Sequence, residues 1–436
     1  MTETDTSAIQ RARSWLSRLT AWQYTPLCLL LLLVLLLHLD TIYHLPNLAF
    51  DENYYVPAAH SILTGEGSDI AGHPPLGQLL IAWGFWMFGS GPLGWRIVSV
   101  VFSVIGVAFF YLICRRLDIP RGVSLLAVCL LAVESMTFFM GSIAMLDVFC
   151  LTFMLAAFWA YLKQRPLLAG LLVALAALAK LNGWLALAVI LLHWLMTSRR
   201  DIKPALLLAA ASLASFFVLL SLLDLIMWHQ WLNPFERIGD MLAYTRGITF
   251  ADWYAAPAGA EPSRPWEWLG RLVYMQSLAF DGVKHEWYVQ ALMVISPAVW
   301  VFIIPSMLYM AYRAFKRSRA ALLAISWFTG TYLVWLPLSL ISDRLSYVFY
   351  FYPTIGAVCI GIALGLVGLK QLKPHSGWLR RLLPLLTPLY LMLSLVAFIA
   401  LCPGSLWLQV VGAVLLYALV RWYADDNRKL TPQPAE

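Results

Sequence analysis

Two adjacent carboxylates, Asp51 and Glu52, followed by Tyr54 and Tyr55, stand directly after a leucine run long enough to cross a bilayer. A carboxylate placed where the chain leaves lipid is partly desolvated. Desolvation raises its proton affinity, which makes Asp51 a candidate general base. About twenty residues later, "AGHPPLGQ" sets His73 beside the rigid Pro74-Pro75 pair, which would hold the following helix against the membrane surface. Arg96, in "GWRIVS", falls at the outer end of an apolar run. There an unpaired cation is costly, and a guanidinium can grip a phosphate bidentately. Lys180 and Arg344 fall at similar boundaries, and Asp147 opens another span, where a carboxylate also favours the helix N-terminus. Each residue has a plainer reading: solvated acids after a span, a snorkelling Arg96, a capping Asp147, structural ion pairs for Lys180 and Arg344. Asp224 and Glu134 lie near the ends of apolar helices and are intramembrane candidates or interfacial acids. His193 reads as a packed helix residue.

The elements that must position these groups are membrane helices. The 436 residues are 61% hydrophobic and only 12% charged, against about 25% charged in soluble domains. Runs such as "PLCLLLLLVLLLHLDTIYHL" meet the requirement of about 20 apolar residues per span, and lipid leaves the backbone no alternative to helix. Spans are expected at about 24–44, 93–113, 122–140, 147–163, 166–181, 183–198, 204–227, 293–313, 320–340, 345–369, 383–401 and 405–422. The segment 75–89 is too short and reads as a juxtamembrane or re-entrant helix. With both termini inside, 22 of the 30 Lys and Arg residues fall on the inner side, including Arg11, Arg13, Arg18, Arg199, Arg200 and Lys373. That asymmetry accounts for the formal charge of +7 without a nucleic-acid partner. The first run reads as a retained anchor rather than a removed signal peptide. Six scattered cysteines without CxxC spacing indicate neither a zinc site nor a disulfide framework. Two long outer segments remain, about 45–92 with the acidic motif and about 228–292, so residues 1–436 read as a single integral membrane domain. No internal repeat supports a transporter or lipid flippase built from duplicated halves.

The ordered stretches "FDENYYVPAAHSILTG", "HPPLGQLLIAWG", "GWRIVSVVF", "IAMLDVF" and "ALAKLNGW" resemble the protein O-mannosyltransferase family, in particular its short bacterial members. The resemblance covers about residues 45–185 and continues more weakly through "SRPWEWL" and "DRLSYVFYFYP" to about 355. It implies an all-α, polytopic GT-C fold, similar in plan to lipid A aminoarabinose transferases and oligosaccharyltransferases. It also implies an inverting transfer of a hexose, mannose first, from a polyprenyl-phosphate donor to Ser or Thr of exported proteins. The alternative acceptor is a glycolipid or cell-surface polysaccharide. Asp51 and Glu52 are the implied catalytic carboxylates, and Arg96 the implied contact to the donor phosphate. His73, Tyr55, Asp147, Lys180, Arg344 and Trp266 complete the expected substrate site, with no metal and no cofactor. The family often carries Lys after HPPLG and Arg two residues before IAMLD. Here Gln78, Gly141 and Ser142 occupy those places, leaving Lys180 or Arg344 to supply the positive charge. The many aromatics of 228–292 suit an interfacial belt, with "SRPWEWL" the stretch for substrate contact. The expected location is the bacterial cytoplasmic membrane, with the site on its outer face. Cysteines introduced near positions 60 and 260 should react with an impermeant thiol reagent added to intact cells; protection of either breaks this topology.

Overall fold

In the computed structural model the described residues are 24–197, 201–255, 261–281, 284–372 and 376–429. Arg11, Arg13, Arg18, Arg199, Arg200 and Lys373 of the charge argument lie outside them. In chain order the helices are α1 (Thr25–His44), α2 (Glu52–Leu63), α3 (Pro75–Phe88), α4 (Pro92–Arg116), α5 (Arg121–Ala132), α6 (Ser135–Ser142), α7 (Leu146–Leu162) and α8 (Pro166–Ala179). After a 3₁₀ turn at Leu181–Trp184 come α9 (Leu185–Thr197), α10 (Lys203–Trp228), α11 (Pro234–Arg246), α12 (Phe250–Ala255) and α13 (Glu267–Gly270). A hairpin of β1 (Tyr274–Asp281) and β2 (Glu286–Val294) leads to α14 (Pro297–Trp300), α15 (Ile303–Phe315), α16 (Arg319–Phe328) and α17 (Trp335–Ser342). The last helices are α18 (Ile355–Gln371), α19 (Gly377–Leu401) and α20 (Leu406–Lys429). Pro75, Pro92, Pro166 and Pro234 each stand at the first helical position, where the missing N–H has no intrahelical partner to lose.

The helices sort their faces between lipid and bundle. On α1, Leu29, Leu32 and Leu36 are exposed, while Leu30, Val34, Leu37, His38 and Thr41 are buried at helical spacing. The buried polar groups tie helices together. His38 Nδ1 lies 2.7 Å from Ser142 Oγ, and Thr41 Oγ1 donates to the Pro403 carbonyl at 2.8 Å. Among the described residues six helical stretches are long and apolar enough to cross a bilayer, and α5 with α6, bent by 63°, forms either a broken span or a re-entrant loop. The remaining five expected spans fall on shorter helices at 146–162, 166–179, 185–197 and 303–315 and on the apolar part, 406–422, of α20, and the count of twelve is not confirmed. The bend has a cause. Glu134 caps α6 through the Thr137 N–H and hydroxyl, at 2.7 and 2.8 Å, and accepts the Ser296 N–H at 2.7 Å. It is therefore a buried cap. Asp224 pairs with Arg237, and His193 packs in the bundle, hydrogen-bonded to the Tyr161 hydroxyl at 2.9 Å.

The fold departs from all-α in one place. β1 and β2 pair antiparallel with a bulge between Ser277 and Leu278, and β2 takes up the start of the span expected at 293–313. Met275, Ser277 and Ala279 point inward and Leu278 and Phe280 outward, the period-two alternation of a strand. Pro297 then breaks the chain before α15 begins.

The first outer segment is fixed by a buried ion pair. Glu52, in the first turn of α2, and Arg96, in the first turns of α4, are both fully buried. Arg96 Nε donates to Glu52 Oε1 at 2.8 Å and Nη2 to Oε2 at 2.5 Å, and the rest of the guanidinium is taken by the carbonyls of Leu45 and Asn47. Glu52 also accepts the Ala49 N–H at 2.9 Å and the Ala144 N–H at 2.7 Å. One carboxylate thus joins the approach to α2, the start of α4 and the turn before α7. Removing one partner of a buried pair costs about 3–5 kcal/mol, so Arg96→Ala and Glu52→Ala should each lower the unfolding temperature and the yield of folded protein sharply. A near-parental Tm for either variant contradicts this assignment.

Candidate active site

A cleft of about 1180 Å³ opens beside the N-terminus of α2. Five distant parts of the chain line it: the start of α2, residues 69–73, the 180–185 turn, the α10–α11 region, and residues 334–350. Its apolar lining includes Leu181, Trp184 and Leu185 with Leu213, Phe216 and Phe217 of α10. The polar lining includes Asp51, Tyr55, His73, Lys180 and Arg344. A π turn at Thr329–Leu333 interrupts the span 319–342 just before Trp335 and Leu338 reach the cleft. Such turns recur at functional sites because they re-aim side chains within a helix.

Asp51 precedes α2 yet makes no side-chain cap bond. Its carboxylate is therefore directed to the cleft rather than spent on the helix end. Burial pushes its pKa from 3.8 up to about 6, and Asp147 adds to the rise, while Lys180 and a hydrogen bond from Tyr55 hold it down. A carboxylate with raised basicity near neutral pH is suited to accept a proton from a hydroxyl. Burial also pushes the Tyr55 phenol above its ordinary range, helped by the negative charge of Asp51. Tyr55 therefore stays protonated and donates. His73 is driven down to about 3 by burial and then by the cations Lys180, Arg344 and Arg237. It is neutral at physiological pH, and its ring stands edge-on to Tyr55 at 5.7 Å and to Tyr244 at 6.2 Å.

The cations of the cleft are held from behind. Lys180 donates to Asp147 Oδ2 at 2.7 Å and lies over the rings of Phe349 at 5.1 Å and Tyr350 at 5.7 Å. An ammonium has three donors, and this carboxylate takes one. Arg344, half-buried, donates to the Thr245 carbonyl at the end of α11. Thr249 bridges Arg344 as a short antiparallel pair, and Leu345 N–H reaches the Ile248 carbonyl at 3.0 Å. The two segments therefore carry their cleft residues as one unit.

Of the residues singled out from sequence, Asp51, Tyr55, His73, Lys180 and Arg344 line the cleft. Asp147 stands behind Lys180. Three do not face it. Glu52 and Arg96 are consumed in their own buried pair, and Arg96 has no surface for a phosphate. Trp266 is exposed elsewhere, with the Arg264 guanidinium 5.8 Å from its ring. Gln78 is turned away as well, bonded to Ser68 Oγ and to the carbonyls of Ile70 and Pro74, both at 3.4 Å. Tyr244, Arg246, Tyr347, Tyr350 and Asn182 line the cleft without having been singled out for it. The stretches "ALAKLNGW" and "DRLSYVFYFYP" contained three of them.

Comparison with known proteins bears on sequence and fold. Residues 72–228 match the family model for dolichyl-phosphate-mannose-protein mannosyltransferase. A relative from Mycobacterium tuberculosis, a polyprenol-phosphate-mannose–protein mannosyltransferase, is 27% identical over 456 residues, covering 85% of each chain. The Saccharomyces cerevisiae protein O-mannosyltransferase complex bound to the sugar donor superposes with a TM-score of 0.59 at 11% identity, covering 89% of this chain and 91% of that one. ArnT from Cupriavidus metallidurans in the apo state gives 0.53 at 16% identity, covering 94% of this chain and 76% of that one. The GT-C fold expected from the motifs is thus found, and the resemblance to protein O-mannosyltransferases holds along most of the chain.

The raised Asp51 carboxyl has a consequence for stability. The folded state binds this proton more tightly than the unfolded chain, so its contribution is favourable at low pH and is lost as pH rises through about 6. Asp51→Asn should therefore raise the Tm at about pH 7.5 and leave it nearly unchanged at about pH 4; equal Tm values for variant and parent at both pH values speak against a buried, destabilised carboxylate.

Proposed function

We propose that this membrane glycosyltransferase of GT-C fold is an inverting enzyme that moves mannose from a polyprenyl-phosphate carrier to Ser or Thr hydroxyls of exported proteins. The observation that carries the reading is a single cleft that brings Asp51, a carboxylate of raised basicity, together with the cations Lys180, Arg246 and Arg344 and an extensive apolar lining. A lipid-linked donor presents those chemistries together: an isoprenoid chain, an anionic phosphate and an electrophilic anomeric carbon.

The acceptor hydroxyl gives its proton to Asp51 as its oxygen bonds to the anomeric carbon. On the opposite face the bond from that carbon to the phosphate oxygen breaks, and polyprenyl phosphate departs with the electron pair. The anomeric configuration is inverted in one displacement. Negative charge grows on the departing phosphate, and Lys180 and Arg344, already fixed by Asp147 and the Thr245 carbonyl, stabilise it without reorganising. Glu52 and Arg96 act on the structure rather than on the reaction: they hold the N-terminus of α2, and Asp51 with it. The neutral His73 and protonated Tyr55 line the sugar side. The positive-inside asymmetry supports a location of the acidic segment and the cleft on the outer face of the cytoplasmic membrane.

The test is to supply purified protein with polyprenyl-phosphate-mannose and Ser/Thr peptides, with membrane glycolipids offered in parallel. Mannose should pass to the peptides. Asp51→Asn should slow transfer by about 100-fold or more, and Lys180→Ala and Arg344→Ala by about 10- to 1000-fold each. Parental rates with Asn at position 51 remove Asp51 as the base, and label on the glycolipids alone moves the acceptor to that class. The rate should also rise with pH through about 6, because the base works ionised.

A further inference from the structure

Behind the cleft, one buried cation joins segments that are far apart in sequence. Arg237, on α11, is 4% exposed and does not line the cleft. Its Nε lies 3.5 Å from Asp224 Oδ2 on α10, and its guanidinium stacks 4.8 Å over the Trp228 ring. It donates from Nη1 to the Ala71 carbonyl and from Nη2 to the His73 carbonyl at 3.1 Å. Asp224 is fully buried, and among the described residues neither of its carboxylate oxygens makes a hydrogen bond. Charge attraction to Arg237 is then what keeps this acid tolerable at the membrane boundary.

The segment that Arg237 grips is shaped to receive it. Trp228 Nε1 donates to the Ser68 carbonyl at 3.3 Å. Gly67, at φ +77°, leaves the space that the Trp228 indole fills, and a Cβ at Gly72 would run into the Tyr244 ring. Residues 69–73 then form one wall of the cleft.

We infer that Arg237, oriented by Asp224 and Trp228, is a positioning residue for sugar transfer: its fork fixes the Ala71 and His73 carbonyls, and with them the 69–73 segment of the cleft lining. The inference rests on the reading of the cleft as the active site. A lysine keeps the charge beside Asp224 but has neither the planar fork nor the stacking face. That difference separates positioning from mere ion pairing.

The experiment compares Arg237→Lys, Arg237→Ala and Asp51→Asn in the full chain, measuring Tm, kcat and the KM for polyprenyl-phosphate-mannose. A displaced wall weakens donor binding while the base stays in place. Arg237→Lys should therefore keep a Tm near the parent's, raise the donor KM about tenfold and change kcat by less than about threefold. Arg237→Ala should raise the KM at least as far and lower the Tm. A parental KM in the Lys variant overturns the inference, as does a fall in kcat at unchanged KM in both variants. Asp51→Asn tells the two ideas apart. If it loses kcat while Arg237→Lys has a parental KM, only the positioning role falls; if it keeps its kcat, the active-site reading falls and the inference with it.

Discussion

The cleft depends on a contact that it does not contain. Glu52 and Arg96 are a fully buried carboxylate and guanidinium, and each is further bonded to backbone groups, Glu52 to the Ala49 and Ala144 N–H and Arg96 to the Leu45 and Asn47 carbonyls. A pair of this kind adds little net stability over an apolar one, yet breaking it leaves an uncompensated charge in a medium that cannot solvate it. The arrangement therefore specifies geometry more than it adds stability. It holds Asp51, the residue before Glu52 and the proposed base, at one depth relative to α4. Through Ala144 it holds the turn that leads to Asp147, which in turn holds Lys180. Acid and cation are positioned by the same buried network, and site groups held in this way lose little freedom when substrate binds.

What sequence could reveal followed from what leaves a pattern in it. Asp51, His73, Lys180 and Arg344 sit in stretches whose order and composition are distinctive, and the structure brings them to one cleft. Arg96 shows where such patterns stop. An arginine at the outer end of a span has the same local signature whether it faces a phosphate or an internal glutamate, and only the position of Glu52 in space decides. The hairpin at 274–294 was hidden by apolar content. Its alternation is visible in "YMQSLAF", and Asp281-Gly282 is a turn signal, but the apolar residues of β2 run into those of the next helix. Apolar content also leaves the number of spans open, since it marks burial in a large bundle as well as exposure to lipid. The grip of Arg237 left no trace at all, because its acceptors are backbone carbonyls, which any residue supplies.

The cleft is assembled across the chain rather than within one stretch of it. Residues 72–228 carry the recognisable family segment, yet Asp51 lies before it, and Arg344, Tyr347 and Tyr350 lie more than a hundred residues after it. The most recognisable piece of this protein is therefore not a transplantable module. Excised, it would retain Lys180 and most of the apolar lining while losing Asp51, Arg246 and Arg344. Any lineage that shuffled this segment alone would have inherited a membrane bundle with a half-built pocket, so the chemistry has to be passed on as a whole chain.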